Sequence, residues 1–457
     1  MKIILLSGGS GKRLWPLTND SRSKQFLKIL QDSNGESESM VQRVWRQLER
    51  VGLAESTLIA TGQSQVDMLR NQLGDIPMIL EPERRDTFPA IALSVVYLYS
   101  KLGIDVDEIV AICPVDPYVE DTFFQQLYVL ENSLIRDEQV ELSLIGVRPT
   151  YPSSKYGYII PGELYRQNDY LYHVDRFQEK PSEAVAAKLI EQQAMWNCGV
   201  FAFKMKYMLD WLRGNQLPID FHELRRNYHI LPKNSFDYEV VEKAKHVLVS
   251  PYEGYWKDLG TWNTLTDEMT TSVIGKGRIS LDSTNVHIIN EMDIPVIVLN
   301  MNNIVVASSP DGILVSDKVA SPRIKEMLVE FDQRPMYEES GWGSYRILDF
   351  VKHDEETEVL TKKVCIYIGK NLSYHYHLKR TEIWTITKGN GQFILDGNVD
   401  VVKPGDVLRI PPRALHAILA DTELEFIEVQ TGSELVEEDI IRVSLDWEEI
   451  IQISLQS

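Results

Sequence analysis

The chain has 457 residues, which is enough for two or three domains and too many for one small core. Its apolar fraction of 44% and charged fraction of 25% are typical of a soluble globular protein. With 67 acidic and 47 basic side chains, the net charge of −20 argues against nucleic acid or an anionic membrane as the main partner. An anionic ligand would therefore need a local basic pocket or a metal ion.

The three cysteines indicate the redox environment of the protein. Cys113, Cys198 and Cys365 lie far apart in apolar stretches, and their odd number and unpaired spacing predict buried, reduced thiols. Residues 1–6 are too short for the apolar core of a signal peptide, and no stretch approaches the length of a membrane span. We therefore expect a cytoplasmic protein that does not bind a membrane.

The chain begins with an apolar run that predicts a buried strand, and a glycine turn follows it directly. Gly8, Gly9 and Gly11 remove Cβ atoms from this turn, so backbone N–H groups can approach a ligand, and the cations Lys12 and Arg13 come next. A strand, a glycine turn and paired positive charge suit a polyphosphate. An ordinary glycine-rich loop between a strand and a helix explains these residues equally well at this point.

As far as about residue 265, short runs rich in Ile, Leu and Val alternate with amphipathic patterns of helical spacing. The strand-like runs are residues 57–61, 77–81, 108–114 and 141–147. The alternation predicts a Rossmann-like α/β domain whose largely parallel sheet carries helices on both faces. Ligands of such sheets bind at the carboxyl ends of the strands, which is where the glycine turn lies.

Two aspartates and two lysines could carry chemistry in this domain. Asp116 follows an apolar run and Asp258 lies in a turn before a helix, so both could hold Mg²⁺ against the phosphates of a nucleotide. A single Asp in such a place is more often a turn or capping residue. Lys24 and Lys180 could be fixed point charges for phosphate, although a lone Lys is usually a solvated surface charge.

The pattern changes twice in the second half of the chain. From about residue 275, short strands with little helix between them predict a few coils of a β-helix or a small β-module. From about residue 344 the pattern is all-β, with turn residues spaced as in a small barrel or jelly roll. We expect three parts: a domain over 1–270, a short β-helix-like segment and linker over 271–335, and an all-β barrel or jelly roll over 336–457.

The last part contains a candidate metal site. His375 and His377 alternate in a strand-like run, so both imidazoles should face the same side. Glu382 follows shortly, and His416 comes later behind a proline turn. Three His and one Glu on inner strands predict a divalent transition metal such as Zn²⁺, and the alternative is a structural His-x-His pair.

Recurring motifs indicate a family. The glycine turn with the Trp15-Pro16-Leu17 and Lys24-Gln25-Phe26-Leu27 stretches resembles the signature of sugar-1-phosphate nucleotidyltransferases, and is most similar to mannose-1-phosphate guanylyltransferases. Further stretches resemble that family in order along the chain: Glu81-Pro82 with Arg85-Asp86-Thr87, Pro114 to Pro117, Tyr156 to Ile159, Phe177 to Pro181, Trp196 to Phe201 and Trp256 to Trp262. The resemblance covers roughly the first 330 residues.

The resemblance implies a transferase that joins a nucleoside triphosphate, with GTP favoured, to a sugar 1-phosphate. It implies that Gly8, Gly9, Gly11, Lys12 and Arg13 cradle the triphosphate. It further implies that Asp116 and Asp258 hold Mg²⁺ and that Lys24 meets the charge of the phosphates. The sugar phosphate would be bound by Glu179 and Lys180, and the sugar pocket would be lined by Gly157 and Asn197. Contacts to the nucleotide or the sugar are implied near Glu81 and Asp86. We also expect a homo-oligomer.

The C-terminal part resembles a cupin, and the whole layout resembles bifunctional enzymes that add a type II phosphomannose isomerase. Gly369, His375, His377, Glu382 and Gly389 fit the first cupin motif, and Gly405, Pro411 and His416 fit much of the second. Leu378, Lys379 and Ile383 stand where the bifunctional enzymes have histidines, Ser23 replaces a usual Pro, and Asp86 replaces a usual Asn. The alternatives are therefore an active isomerase or a non-catalytic, regulatory or assembly cupin.

Overall fold

The computed structural model describes residues 1–9, 12–19, 21–166, 170–329, 331, 334–354, 357–436 and 439–456. Two compact units make up the chain. One contains Met1–Ser10 and Ser23–Thr271, and the other contains Gly11–Arg22 and Ser272–Ser457. The predicted site residue Gly11 lies outside the described residues, as does the side chain of Lys12. The division of the chain at residues 270 and 335 stays a prediction.

The first unit is built on a mixed sheet. Its strands are β1 (Lys2–Ser7), β2 (Leu30–Gln31), β3 (Ser37–Glu38), β4 (Thr57–Gly62), β5 (Met78–Glu81), β6 (Ile109–Pro114), β7 (Pro117–Val119), β8 (Leu142–Val147), β9 (Tyr158–Leu164), β10 (Tyr172–Gln178), β11 (Met195–Lys204), β12 (Val247–Tyr252) and β13 (Trp256–Asp258). Nine of them form one sheet in the order β5-β4-β1-β6-β11-β8-β12-β10-β9. The block β5-β4-β1-β6 is parallel, as predicted. Strand β11 then runs antiparallel to both of its neighbours, so the sheet as a whole is mixed.

Helices cover both faces of this sheet. They are α1 (Met40–Arg50), α2 (Val66–Leu73), α3 (Thr87–Val96), α4 (Gln126–Arg136), α5 (Glu183–Glu191), α6 (Met205–Gly214), α7 (Phe221–Arg226), α8 (Phe236–Glu239) and α9 (Trp262–Thr266). Successive side chains of β1 point to opposite faces of the sheet. Ile3 packs with Val44 of α1, whereas Ile4 packs with Ile91 of α3. None of the described helices is long and apolar enough to cross a membrane.

The second unit begins with short parallel strands that stack as in a β-helix. They are β14 (Val273–Ile274), β15 (Gly277–Ile279), β16 (His287–Asn290), β17 (Val296–Val298) and β18 (Ile304–Ser309), followed by the antiparallel β19 (Gly312–Asp317) and the helix α10 (Ile324–Met327). β16 pairs in parallel with both β14 and β18. Asn285 and Asn303, both at positive φ, stack one coil apart with a side-chain hydrogen bond of 2.8 Å. The predicted β-helix-like segment is confirmed.

Two sheets form the barrel that follows. Its strands are β20 (Tyr337–Ser340), β21 (Gly343–Lys352), β22 (Glu358–Ile366), β23 (Tyr374–His377), β24 (Arg380–Lys388), β25 (Gly391–Leu395), β26 (Asn398–Val402), β27 (Val407–Ile410), β28 (His416–Ala420), β29 (Leu424–Gly432) and β30 (Ile440–Ser444), and the helix α11 (Trp447–Gln456) ends the chain. The strand orders are β20-β21-β22-β29-β24-β27 and β26-β25-β28-β23-β30. This is the predicted jelly roll. An apolar core that includes Trp384 and Phe426 fills one part of it.

Candidate functional site

The glycine turn lies at the carboxyl edge of the parallel block. Gly8 and Gly9 directly follow β1 and are exposed. A Cβ on Gly9 would meet nothing within 4 Å, and one on Gly8 would come no closer than 4.0 Å to Glu81 Oε1. The backbone at Gly8 and Gly9 is therefore open to a ligand.

A cleft of about 320 Å³ opens beside this turn. Its walls come from the ends of β1, β5 and β6, the start of α3, and α8. Its lining includes Gly8, Gly9, Glu81, Asp86, Asp116 and Asp237. The volume is in the range of small-molecule sites, and convergent polar groups at strand ends are typical of ligand binding in α/β sheets.

Backbone pairing brings the two predicted metal aspartates together. In the ladder between β7 and β13, Asp258 is the partner of Pro117, the residue after Asp116. The ammonium of Lys24 lies between the two carboxylates, 2.8 Å from Asp116 Oδ2 and 3.0 Å from Asp258 Oδ1. Burial lowers the pKa of Lys24, but the two carboxylates outweigh it and raise the pKa above its ordinary value. Lys24 is thus a cation that neutralises the pair.

The donor set fits Mg²⁺. Carboxylate oxygens are the ligands this ion prefers, and Asp116 and Asp258 approach one point closely enough to share a single ammonium. The carboxylates are only partly buried, with exposures of 26% and 32%, which leaves room for waters and substrate oxygens. Of the predicted residues, the structure therefore brings Lys24, Asp116 and Asp258 into one cluster.

Glu81 and Asp86 line the same cleft in different ways. Glu81 is buried and accepts a hydrogen bond of 2.8 Å from the Tyr228 hydroxyl, and burial raises its pKa. Asp86 caps α3 by accepting from Thr87 N at 2.7 Å, with a positive φ of 73°. An Asn side-chain oxygen could accept the same hydrogen bond, so the replacement of the family's usual Asn by Asp86 is compatible with this cap.

The predicted sugar-phosphate residues form a second cluster. Lys180 Nζ lies 2.5 Å from Glu179 Oε1, and the Glu179 side chain is only 6% exposed. Gly157 is buried directly against it, because a Cβ there would be 2.4 Å from Glu179 Oε2. Gly157 O also accepts from Asn197 N at 2.8 Å. The four residues assigned to the sugar site on resemblance therefore lie together.

Asn197 leads to a residue that sequence reasoning missed. Its Nδ2 donates to Asp237 Oδ1 at 2.6 Å, while its Oδ1 accepts from Gly199 N at 3.0 Å. Burial, with a further contribution from the charge of Glu179, raises the pKa of Asp237 to about 6. An acidic residue in the first turn of a helix is usually explained by its favourable interaction with the helix dipole. The sequence alone therefore did not identify Asp237 as a site residue.

A buried polar network of side chains is hydrogen-bonded to the backbone of Gly9. Ser23 Oγ donates to Gly9 O at 2.9 Å and accepts from Gln65 Nε2 at 3.0 Å. Gln65 Oε1 in turn accepts from Ser7 Oγ at 2.9 Å and from Gln25 Nε2 at 3.3 Å. Since the four side chains of this network are all buried, it holds the Gly9 carbonyl in place. Ser23 thus holds the Gly9 carbonyl with a hydroxyl that a proline at this position would lack.

The stretch with Arg13 belongs to the second unit. Arg13 lies in a 3-10 turn over Lys12–Leu14, and its side chain is exposed. The stretch is tied to the β-helix-like segment, because Ser309 Oγ donates to Pro16 O at 2.6 Å and Asn19 Nδ2 donates to Asp311 Oδ2 at 2.9 Å.

In the barrel, the three predicted histidines converge. His375 and His416 are partners across β23 and β28, and His377 is buried on the same side as His375. Each of the three offers a ligand nitrogen, and these nitrogens all lie within 4.8 Å of one another. Burial and the neighbouring imidazoles lower the pKa of His375 to about 3, so it is neutral, as a metal ligand must be.

The histidine cluster fits a divalent transition metal. His375 Nδ1 and His416 Nδ1 face the carbonyls of Ser373 and Ala414 at 2.7 and 3.0 Å, which turns their Nε2 atoms inward. His416 Nε2 and His377 Nδ1 are buried without a hydrogen-bond partner among the described residues. These two buried nitrogens, on convergent imidazoles, are groups that Zn²⁺ or a similar ion would satisfy.

Glu382, the fourth predicted ligand, is engaged by other groups. Its Oε1 lies 3.1 Å from His377 Nε2 and accepts from Arg380 Nε at 3.1 Å, and its Oε2 accepts from Trp384 Nε1 at 3.1 Å. It borders the histidines, but among the described residues the histidine group whose ligand atoms all lie within 4.8 Å of one another does not include Glu382. Its assignment as a ligand stays a prediction.

A cavity of about 220 Å³ opens onto this cluster. Sequence reasoning missed the charged groups that share its inner wall. Lys362 of β22 is the cross-strand partner of Glu428 of β29, and both are buried. Burial and the charge of Glu382 raise the pKa of Glu428 to about 7. In a strand, alternation predicts which residues point inward, but it does not predict that charged ones will.

Comparison with known proteins agrees with this architecture. The nucleotidyl transferase family model matches residues 2–272, and the mannose-6-phosphate isomerase C-terminal model matches residues 333–445. The chain is similar to the xanthan biosynthesis protein XanB of Xanthomonas campestris pv. campestris, with 29% identity over 96% of this chain and 97% of that one. It is similar to a mannose-1-phosphate guanylyltransferase of Salmonella muenchen, with 27% identity over 96% of this chain and 97% of that one.

A solved structure supports the first of these matches. The mannose-1-phosphate geranyltransferase of Thermus thermophilus is 31% identical, with a TM-score of 0.60, and the match covers 72% of this chain and 98% of that one. These findings confirm the resemblance drawn from the sequence. The chain belongs to the nucleotidyl transferase family and is an enzyme of that kind, with a C-terminal segment of the mannose-6-phosphate isomerase type.

Proposed function

We propose that the first unit converts GTP and mannose 1-phosphate into GDP-mannose and pyrophosphate. The observation that carries the proposal is the cluster of Lys24, Asp116 and Asp258 at the carboxyl edge of the sheet, which also bears the glycine turn. The choice of guanine and mannose is supported by the relatives, one of which is named a mannose-1-phosphate guanylyltransferase. Xanthan biosynthesis, named for the other, supports a product used in polysaccharide synthesis.

In the proposed reaction, an oxygen of the sugar phosphate attacks the α-phosphorus of GTP in line. The bond from that phosphorus to the bridging oxygen breaks, and pyrophosphate leaves with the electron pair, so no covalent enzyme intermediate forms. Asp116 and Asp258 would hold Mg²⁺, which when bound supplies charge neutralisation at the phosphates. Backbone N–H groups at Gly8 and Gly9 bind phosphate oxygens, and Lys180 holds the sugar phosphate. Positioning and charge neutralisation supply most of the catalysis in such transfers.

Pyrophosphate release tests this proposal. The purified protein should release pyrophosphate from GTP only when mannose 1-phosphate and Mg²⁺ are both present. We expect Asp116→Ala to reduce the rate by roughly 1,000-fold. The variant lacks one of the two carboxylates that would hold Mg²⁺, and it is this ion that would neutralise the charge on the phosphates. Asp75→Ala is the matched control, because Asp75 is exposed in a loop. Full activity in Asp116→Ala would refute the assignment.

We propose a second activity for the barrel, the interconversion of mannose 6-phosphate and fructose 6-phosphate. It is favoured by three convergent histidines, of which His375 and His377 line a cavity together with the buried Lys362 and Glu428. A divalent metal held by these histidines would polarise the carbonyl next to which a proton moves. The test is an isomerase assay with Zn²⁺, Mn²⁺ or Co²⁺ added. The absence of turnover with every metal would leave the barrel as a non-catalytic binding or assembly module.

We also propose that the chain is a cytoplasmic homo-oligomer. Buried Cys113 and Cys198, both free thiols in the structure, support a reducing compartment. Sedimentation equilibrium tests the assembly, and a monomer at micromolar concentration would contradict it.

A further inference from the structure

The first turn of α8 carries a carboxylate that the proposed reaction does not yet use, that of Asp237. The turn is held firmly in place. Phe236 is fully buried and packs against Phe201 and Phe203 of β11, with ring centroids 5.3 and 5.7 Å apart. Phe236 N donates to Thr87 Oγ1 at 2.9 Å, which ties the turn to the start of α3. Asp237 is therefore presented on a rigid support.

The helix itself does not need this carboxylate. Ser235 is the capping residue of α8, and its side chain accepts the hydrogen bond from Tyr238 N. No ion pair to Asp237 is found among the described residues, and its side-chain hydrogen bond comes from Asn197. A structural role as a cap or as half of a salt bridge is thus not what keeps Asp237 in the cleft.

The surroundings of Asp237 point to a polar ligand. It lines the same cleft as the glycine turn and Asp116. Asn197 donates to Oδ1 at 2.6 Å, and no other side chain among the described residues donates to this carboxylate, so it can accept a further hydrogen bond from a bound molecule. The negative charge of Glu179 contributes to the raised pKa of Asp237, so this end of the cleft carries two acidic groups. A carboxylate in an acidic corner repels phosphate, whereas it accepts hydrogen bonds from neutral hydroxyl groups well.

We propose that Asp237 is a specificity residue that accepts a hydrogen bond from a hydroxyl group of the sugar ring. The inference rests on the proposed function, because it assigns the sugar 1-phosphate to the cluster of Gly157, Glu179, Lys180 and Asn197. Lys180 then binds the phosphate of the sugar 1-phosphate. Asp237, positioned by its hydrogen bond from Asn197, accepts the hydrogen bond from the sugar ring. A site built to accept from a substrate hydroxyl discriminates strongly against an analogue that lacks it.

The test combines a deleted hydroxyl with a changed side chain. Mannose 1-phosphate is compared with its 2-, 3-, 4- and 6-deoxy analogues as substrates of wild type, Asp237→Asn and Asp237→Ala. Asp237→Asn keeps an acceptor for Asn197, so the variant preserves the fold even if Asp237→Ala does not. Asp210→Asn, on the exposed face of α6, is the control.

We expect one deoxy analogue to lose roughly 10- to 100-fold in kcat/KM with wild type and with Asp210→Asn. Asp237→Asn should lose a similar factor on mannose 1-phosphate itself, lose little more on that analogue, and keep the KM for GTP. Variants that retain the wild-type preference for every hydroxyl, or a loss that is equal for GTP and the sugar, would overturn the inference.

Equilibrium binding of mannose 1-phosphate separates this inference from the proposed function. If wild type binds the sugar phosphate without turning it over, the proposed reaction fails. In that case binding alone tests the inference. Asp237→Asn should weaken the binding of mannose 1-phosphate and abolish the difference in affinity between it and the sensitive deoxy analogue, and unchanged affinities would overturn the inference. A wild type that neither binds nor converts mannose 1-phosphate would overturn both.

Discussion

Replacing Gly157 with alanine should damage the sugar-phosphate cluster while leaving the nucleotide side intact. A Cβ at residue 157 would lie 2.4 Å from Glu179 Oε2 and 2.7 Å from Phe177 Cζ, where ordinary contact begins at 3.4 Å. The Glu179 carboxylate would have to move by about 1 Å to restore that contact distance. It has little room to do so, since its side chain is only 6% exposed.

The size of the effect follows from that clash. Inserting one methyl group into a tightly packed site costs about 1–3 kcal/mol. Glu179 is the partner of Lys180 at 2.5 Å, so its displacement also moves the cation assigned to the sugar phosphate. If about 2 kcal/mol of this cost falls on transition-state binding, kcat/KM for mannose 1-phosphate drops by about 30-fold.

The assay is steady-state pyrophosphate release, with each substrate varied in turn, together with urea denaturation. Gly214→Ala is the control, because a Cβ at the end of α6 would meet nothing within 4 Å. We expect the loss in Gly157→Ala to appear for the sugar phosphate and not in the KM for GTP. Wild-type kcat/KM for mannose 1-phosphate in a stably folded Gly157→Ala would refute the reasoning.

Three further predictions concern separate parts of the structure. Ser23→Ala removes the 2.9 Å hydrogen bond to Gly9 O, and we expect about a 5- to 10-fold lower kcat/KM for GTP, with no change as the contradicting result. The raised pKa of Asp237, about 6, means that its ionised form is lost below that pH, so kcat/KM for the sugar phosphate should fall as pH falls through 6. That fall should be absent from Asp237→Asn profiles. His416→Ala removes one of three convergent imidazoles and should weaken Zn²⁺ binding, measured by calorimetry, by roughly 10-fold or more without changing pyrophosphate release; unchanged affinity would exclude the cluster as the metal site.

Local patterns in the sequence predicted the elements that hold most of the candidate site. The apolar run of β1 and the glycines after it indicated the position of the turn, because strand and turn preferences act between neighbouring residues. The alternation of His375 and His377 likewise predicted two imidazoles on one side of a strand, as the structure shows. The Asp116 and Asp258 pair needed the order of motifs along the chain, since these distant residues meet through one short ladder.

Features set by long-range packing were not predictable in this way. The apolar composition of β11 indicates a buried strand but not its direction, and its antiparallel insertion makes the sheet mixed. The role of Ser23 depends on Gln65, far along the chain, and that of Asp237 depends on Asn197. Nor did the all-β pattern of the C-terminal part predict the final helix, α11.

The measurement that tests the central claim most directly is a matrix of ATP, CTP, GTP and UTP against several hexose 1-phosphates, scored by Mg²⁺-dependent pyrophosphate release. We expect GTP with mannose 1-phosphate to exceed every other pair in kcat/KM, and GDP-mannose to accumulate in equal amount to pyrophosphate. Preferred use of another nucleotide and sugar would contradict the proposed substrates. A complete absence of pyrophosphate release with all pairs would contradict the assignment of the Lys24, Asp116 and Asp258 cluster as a nucleotidyl transfer site.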